Sequence, residues 1–181
     1  NRKWRNELDR QDAPRQFTQD LTLPHAASGL LFLDEKGQTR AGLGANKDGE
    51  PGLTFMDETG ETRAGLSATK DGETLSFFGE KGQTRVGLGV TNDGAPGLIL
   101  ADEMGEGRAV LKVAEDGAPG LFLVAKMGQT RAVLTVDNDN EPWLVFTDES
   151  GESRAGLGVN GNGSPELTFA NEQGEEIWSA P

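Results

Sequence analysis

The chain has 181 residues, 34% of them apolar, with 26 glycines, no cysteine and a net charge of −13. Without cysteine there is no disulfide framework, thiolate metal centre or cysteine nucleophile, and the acidic balance opposes binding to nucleic-acid phosphates. No run approaches the ~18 apolar residues that a membrane-spanning helix needs; the richest is Gly120 to Ala125.

The first 16 residues differ from the rest. Arg2, Lys3, Arg5, Arg10 and Arg15 outnumber Glu7, Asp9 and Asp12, a net of +2 that leaves −15 on the remainder. Such a leader suits a membrane surface or an acidic partner, or is a plain solvated helix. Residues 1–12 are read as a short helix with Trp4 and Leu8 on one side, ended by Pro14. Residues 17–23 alternate through Leu21 and Leu23 and are read as a strand, followed by a turn from Pro24 to Gly29.

The rest is a repeat. Arg40, Arg63, Arg85, Arg108, Arg131 and Arg154 are spaced 23, 22, 23, 23 and 23 residues apart. Three positions before each stands a glycine, and three after each a leucine, from Gly37 and Leu43 to Gly151 and Leu157. A truncated copy begins at Gly174, with Ile177 at the arginine position. Residues 1–16 therefore form a leader and residues 17–181 one array, with units near 30–52, 53–74, 75–97, 98–120, 121–143 and 144–166 and a partial copy over 167–181.

Each unit holds two runs of period two, such as Leu53 to Met56 and Arg85 to Val90, which predict strands. Two turn signals separate them, one like Asp57-Glu58-Thr59-Gly60 and one like Asp93-Gly94-Ala95-Pro96. The single spacing of 22 is assigned to a shortened second turn, Lys70 to Thr74. The expected fold is all-β: an antiparallel β-hairpin meander of about 13–14 strands, coiled or folded on itself. Its Leu/Phe and Ala/Leu/Val faces are expected to meet inside. The alternative is a β-solenoid with one 23-residue unit per coil, which would stack like-charged arginines about 4.8 Å apart.

The opposite strand face varies along the chain. Glycines such as Gly42, Gly87 and Gly156 line it in some units. In the middle, Val110, Val133, Ile99, Phe122, Val124 and Val145 make strands apolar on both sides. That middle is read either as a thicker local core or as a region covered by residues 1–16 or by another chain. Interface candidates are therefore Arg2, Lys3, Trp4, Arg5, Ile99, Phe122, Val124, Trp143, Val145, Ile177 and Trp178.

The stretches from Asp34 to Leu43, Asp116 to Leu121 and Gly174 to Pro181 resemble those of a group of uncharacterised bacterial β-hairpin repeat proteins. The resemblance covers roughly residues 29–181. It implies an exported or membrane-anchored protein with an apolar anchor or signal ahead of the repeats, periplasmic or at the cell surface, with the cytoplasmic face as the alternative. It implies no activity.

Catalytic constellations are missing. The one histidine, His25, lies in a loop, and acidic pairs such as Asp34-Glu35, Asp57-Glu58, Asp102-Glu103 and Asp148-Glu149 recur at turns, whereas an acid–base pair belongs once, in a cleft. The chain is expected to be no enzyme and to take no cofactor. Asp137, Asp139 and Glu141 offer alternating oxygens, a weak calcium candidate without the glycine and closing glutamate of an EF-hand. The expected role is a structural or interaction protein, an accessory subunit or scaffold on a larger membrane-associated assembly such as a photosynthetic or respiratory complex. Its partners would be protein subunits or copies of itself. A self-assembling fibre or surface-layer protein is the alternative. A glycan-binding repeat is third, since tryptophan occurs only at 4, 143 and 178.

Overall fold

The computed structural model describes residues 29–180. The helix expected over 1–12 and the strand over 17–23 lie outside these residues. Fourteen strands follow in chain order: β1 Gly29–Leu33, β2 Thr39–Ala45, β3 Pro51–Met56, β4 Thr62–Thr69, β5 Gly72–Phe78, β6 Thr84–Thr91, β7 Pro96–Ala101, β8 Gly107–Val113, β9 Pro119–Val124, β10 Thr130–Val136, β11 Pro142–Thr147, β12 Ser153–Val159, β13 Pro165–Ala170 and β14 Glu176–Ala180. They form an open antiparallel meander, as the two turns per repeat predict, and not the solenoid. The described strands fall into two compact units, divided between Gly105 and Glu106.

In the first unit, β1 to β7, every strand pairs antiparallel with the next. The register aligns the repeat's leucines across the sheet, Leu30 with Leu43, Leu43 with Leu53, and so on to Leu98. The second unit, β8 to β14, does the same from Leu111 through Leu121, Leu134, Leu144 and Leu157 to Leu167. A slip of one residue would turn every leucine to the other face, so the repeat spacing and the register are one constraint.

The two turn signals build one geometry. In Asp34–Gln38 the first residue's N–H donates to the fifth carbonyl and the fourth N–H to the first carbonyl; Asn46–Glu50 repeats this. The fourth residue has φ near +80°, as at Gly37 (+77°) and Gly94 (+85°). Glycine meets that demand without a Cβ clash, and Asn140 (φ 61°) stands in for it once. The first residue, where it is Asp or Asn, closes the turn with its side chain. Asp34 Oδ1 accepts from the N–H of Lys36 and of Gln38, both at 2.9 Å. The exception is β4 to β5, where Thr69 pairs directly with Gly72 and only Lys70 and Asp71 cross over. That is the turn to which the spacing of 22 points.

Each unit has an outer and an inner face, and they are not the expected ones. The Leu/Phe/Ala face is half-exposed: Leu134 retains 53% of its surface and Phe146 47%. The buried face carries the small and polar residues, with Thr54, Ser67, Thr74 and Ser76 all buried. Ser67 and Thr74 hydrogen-bond to each other at 3.0 Å, and the Thr54 hydroxyl donates to the Gly42 carbonyl at 3.5 Å. In the second unit, Val110, Val133, Val145 and Trp143 supply the buried apolar cluster on that same face. Small residues explain the inversion, because glycine and serine positions leave room for larger neighbours to lie flat across them.

Candidate interaction surface

Two devices hold the sheet in shape and so position its faces. The first is an arginine clamp. Phe32 pairs with Ala41 but Leu33 pairs with Thr39, which leaves Arg40 as the extra residue of a β-bulge. Arg63, Arg85, Arg131 and Arg154 occupy the same position in their hairpins, and Ile177 in the last. A bulge re-aims its side chain. Arg40 Nε donates to Asp34 Oδ2 at 3.0 Å in its own turn, and Nη1 donates to the main-chain carbonyl of Asp57 in the next turn on that edge. Arg85 reaches Ala101 O at 3.0 Å and Arg131 reaches Thr147 O at 2.8 Å. Arg40, Arg85, Arg131 and Arg154 thus tie one hairpin to the next, and Arg63 holds its own turn through Asp57 Oδ2 at 2.6 Å.

Charge follows the same geometry. The carboxyls of Asp57 and Asp148 are held far below the usual carboxylate range, first by the hydroxyls of Thr59 and Ser150, with Arg63 and Arg154 adding to the effect. Asp34 is lowered chiefly by the N–H of Gln38, with Arg40 contributing. On the opposite edge, Glu50 is lowered by the Asn46 amide and then by the N–H of Lys70, a bond of 3.1 Å between successive turns. These carboxylates are structural ions of the turns.

The second device is a glycine floor. A Cβ built on Gly158 would fall 2.3 Å from Cδ2 of Trp143, and one on Gly120 would fall 2.6 Å from the ring of Phe122. The aromatic rings therefore lie flat on strand positions that have no side chain. Lys112 Nζ sits 5.1 Å from the Phe122 ring centroid, a cation–π contact.

The sequence-derived candidates distribute unevenly. Arg2, Lys3, Trp4 and Arg5 lie outside the described residues, as does His25. Phe122, Val133 and Val145 stand in one register row with Val110. Trp143 in the adjacent row is 5% exposed and Val145 is also buried, so both are packed within the chain. Ile99 in the first unit and Val124 in the second are half-buried, each on the face opposite its own unit's leucines. Ile177 is exposed at the bulge position, and Trp178 packs against Phe169 at 5.6 Å between ring centroids.

Asp137 is buried, and its Oδ1 accepts from the N–H of Asp139 and of Glu141, the ordinary role of a turn's first residue. No cluster of three or more histidine or acidic groups suited to a metal occurs among the described residues. No helix among them is long and apolar enough to cross a membrane.

The surface that the sequence reading missed is the half-exposed face itself. Across the second unit, the strand positions in register with the leucine row and with the flanking Ala109-to-Trp178 row carry no charge. In the first unit, the corresponding rows, Leu30 to Leu98 and Phe32 to Leu100, carry no charge either; Glu73 stands in the next row, opposite Ala68 and Val90. A contiguous apolar sheet face of this size, rimmed by charged turns, is unusual on a soluble monomer and is the mark of a contact surface. Its signal was present in the Leu/Phe period. The sequence places it in the core, because periodicity alone does not say which face is covered.

No protein-family model and no curated protein sequence matches the chain. Among solved structures, the S. aureus TarM G117R mutant, in complex with fondaparinux, alpha-GlcNAc-glycerol and UDP, aligns over 77% of this chain at 13% identity and a TM-score of 0.21. The match spans only 21% of that protein's length. A likeness at that TM-score carries no argument about function.

Proposed function

We propose that this chain is a non-catalytic scaffold or interaction protein whose working surface is the Leu/Phe face of the meander. The observation that carries the reading is the uncharged row of half-exposed leucines and phenylalanines, fixed in register by the bulge arginines. An enzyme reading finds little support: the chain has one histidine and no cysteine, and the carboxylates whose pKa values are lowered are engaged in turn closure. The resemblance to exported bacterial hairpin-repeat proteins favours a role at a membrane-associated or cell-surface assembly, and the basic leader at residues 1–16 suits such a site.

The test is direct. The native protein should enhance the fluorescence of an apolar probe, and Leu66→Glu with Leu134→Glu should abolish the enhancement while the circular dichroism spectrum persists. In dilute protein, below any self-association, a native chain that leaves the probe dark contradicts the reading.

A second reading, edge-to-edge assembly into a fibre, has one observation in its favour. β1 is exposed along its whole length, with Leu30, Leu31, Phe32 and Leu33 all more than half open. Among the described residues β1 is an edge strand, and an apolar edge of that kind invites pairing. Electron microscopy of the pure protein separates this from face-mediated binding.

A further inference from the structure

The same face also indicates what kind of surface fits it. Beside the leucine row of the second unit runs a row in which Ala132, Phe146, Ala155 and Phe169 stand in successive register. The first unit repeats it with Ala41, Phe55, Ala64 and Phe77. Strands are about 4.8 Å apart, so the rings form ridges roughly 10 Å apart with alanine hollows between them. A surface of alternating ridges and hollows with a regular pitch is complementary to itself. Rotated by a two-fold axis and shifted by one strand, the rings of a second copy drop into the alanine hollows of the first. Such an isologous contact closes on itself and satisfies both faces at once.

The area is sufficient. In the second unit alone, ten large apolar side chains on this face, from Leu111 to Trp178, are between about a third and a half exposed. At roughly 80 Å² each they present on the order of 800 Å², what one partner contributes to a stable standard-size interface. The charge distribution also permits the contact, because the carboxylates sit in the turns at the two edges and the face between them carries only Glu73.

We infer that two copies of this chain associate through their Leu/Phe faces, sheet against sheet about 10 Å apart. The inference rests on the interaction-surface reading above and names its partner. With −13 on each copy, the acidic rims repel one another, so the dimer tightens as salt rises.

Sedimentation velocity of the full chain from about 1 to 100 µM, a range in which an interface of this size is populated, tests it at low and high salt. The expected result is a monomer–dimer equilibrium that added salt strengthens. Phe146→Thr, which keeps β-propensity while removing one ridge, should raise the dissociation constant at least tenfold. Phe55→Thr makes the same test in the first unit. Leu134→Glu should leave only monomer, and circular dichroism verifies that each variant folds. The inference is overturned by a chain that stays monomeric throughout, by a dimer indifferent to both phenylalanine substitutions, or by open-ended growth. A monomer that still binds the apolar probe removes the dimer and leaves the interaction surface standing. A monomer that binds no probe removes both.

Discussion

Arg154 donates through Nη1 to the main-chain carbonyl of Asn171, one turn further along the same edge, while its Nε donates to Asp148 Oδ2 at 2.7 Å. One side chain therefore closes its own hairpin and fastens it to the next. Removing it leaves the Asn171 carbonyl with the Gly174 N–H alone and takes the arginine from Asp148 Oδ2, while Oδ1 keeps Ser150 and Glu152. Arg154→Ala is expected to lower stability by about 1–2 kcal/mol in urea unfolding. Arg154→Lys should recover only part of the loss, because an ammonium cannot span both acceptors with a planar fork.

The glycine floor makes a sharper prediction. At Gly158 a methyl would meet both the Trp143 indole and the Pro142 carbonyl, the latter at 2.7 Å. Gly158→Ala should cost about 1–3 kcal/mol through overpacking. In a double-mutant cycle, Trp143→Val should absorb part of that penalty, leaving a coupling of about 0.5 kcal/mol or more. Additive effects would mean that the ring does not lie on this glycine.

The left-handed turn position is tested where glycine is absent. Asn140, at φ 61°, holds the place that glycine fills in the other five-residue turns. Asn140→Gly should be neutral or slightly stabilising, and Asn140→Ala should lose about 1 kcal/mol by thermal unfolding.

Acid should loosen the turns. The carboxyls of Asp57 and Asp148 have folded-state pKa values well below their unfolded ones, first through Thr59 and Ser150. A depressed folded pKa means stability that is fully present above the unfolded value, about 4, and lost as pH falls toward the folded value. The melting temperature should therefore stay nearly level from neutral pH to about 5 and drop below about 4. Thr59→Val with Ser150→Ala should flatten that drop. An unchanged acid slope in the double variant would show that the hydroxyls do not hold these carboxylates.

Much of this architecture is legible in the residues. The 23-residue spacing of Arg and Leu fixes strand number, hairpin order and leucine register, and the single spacing of 22 marks the short turn at Lys70–Asp71. The bulge is less visible, since Arg40 and Ala41 read as ordinary neighbours until Leu33 is found opposite Thr39. The equivalence of the two turns was hidden by composition. Asp34 and Ala114 begin turns with the same backbone bonds, although only one can accept from the backbone with its side chain. The choice of buried face was not legible. Trp143 and Val145 read as interface candidates because the middle strands are apolar on both sides, yet Gly158 is the floor on which Trp143 lies. Which side of a two-sided apolar sheet is covered depends on side chains packing across neighbouring strands, a relation that no single strand's period contains.

The most direct measurement uses the chain's lack of cysteine. Single substitutions Val133→Cys and Leu134→Cys place a thiol on adjacent positions that face opposite ways, one 5% exposed and the other 53%. In dilute protein, below any self-association, a maleimide should label the Leu134→Cys variant at least a hundredfold faster than the Val133→Cys variant. Faster reaction at position 133 would show that the leucine face is the covered one, and equal rates that neither face is; either result would contradict the account.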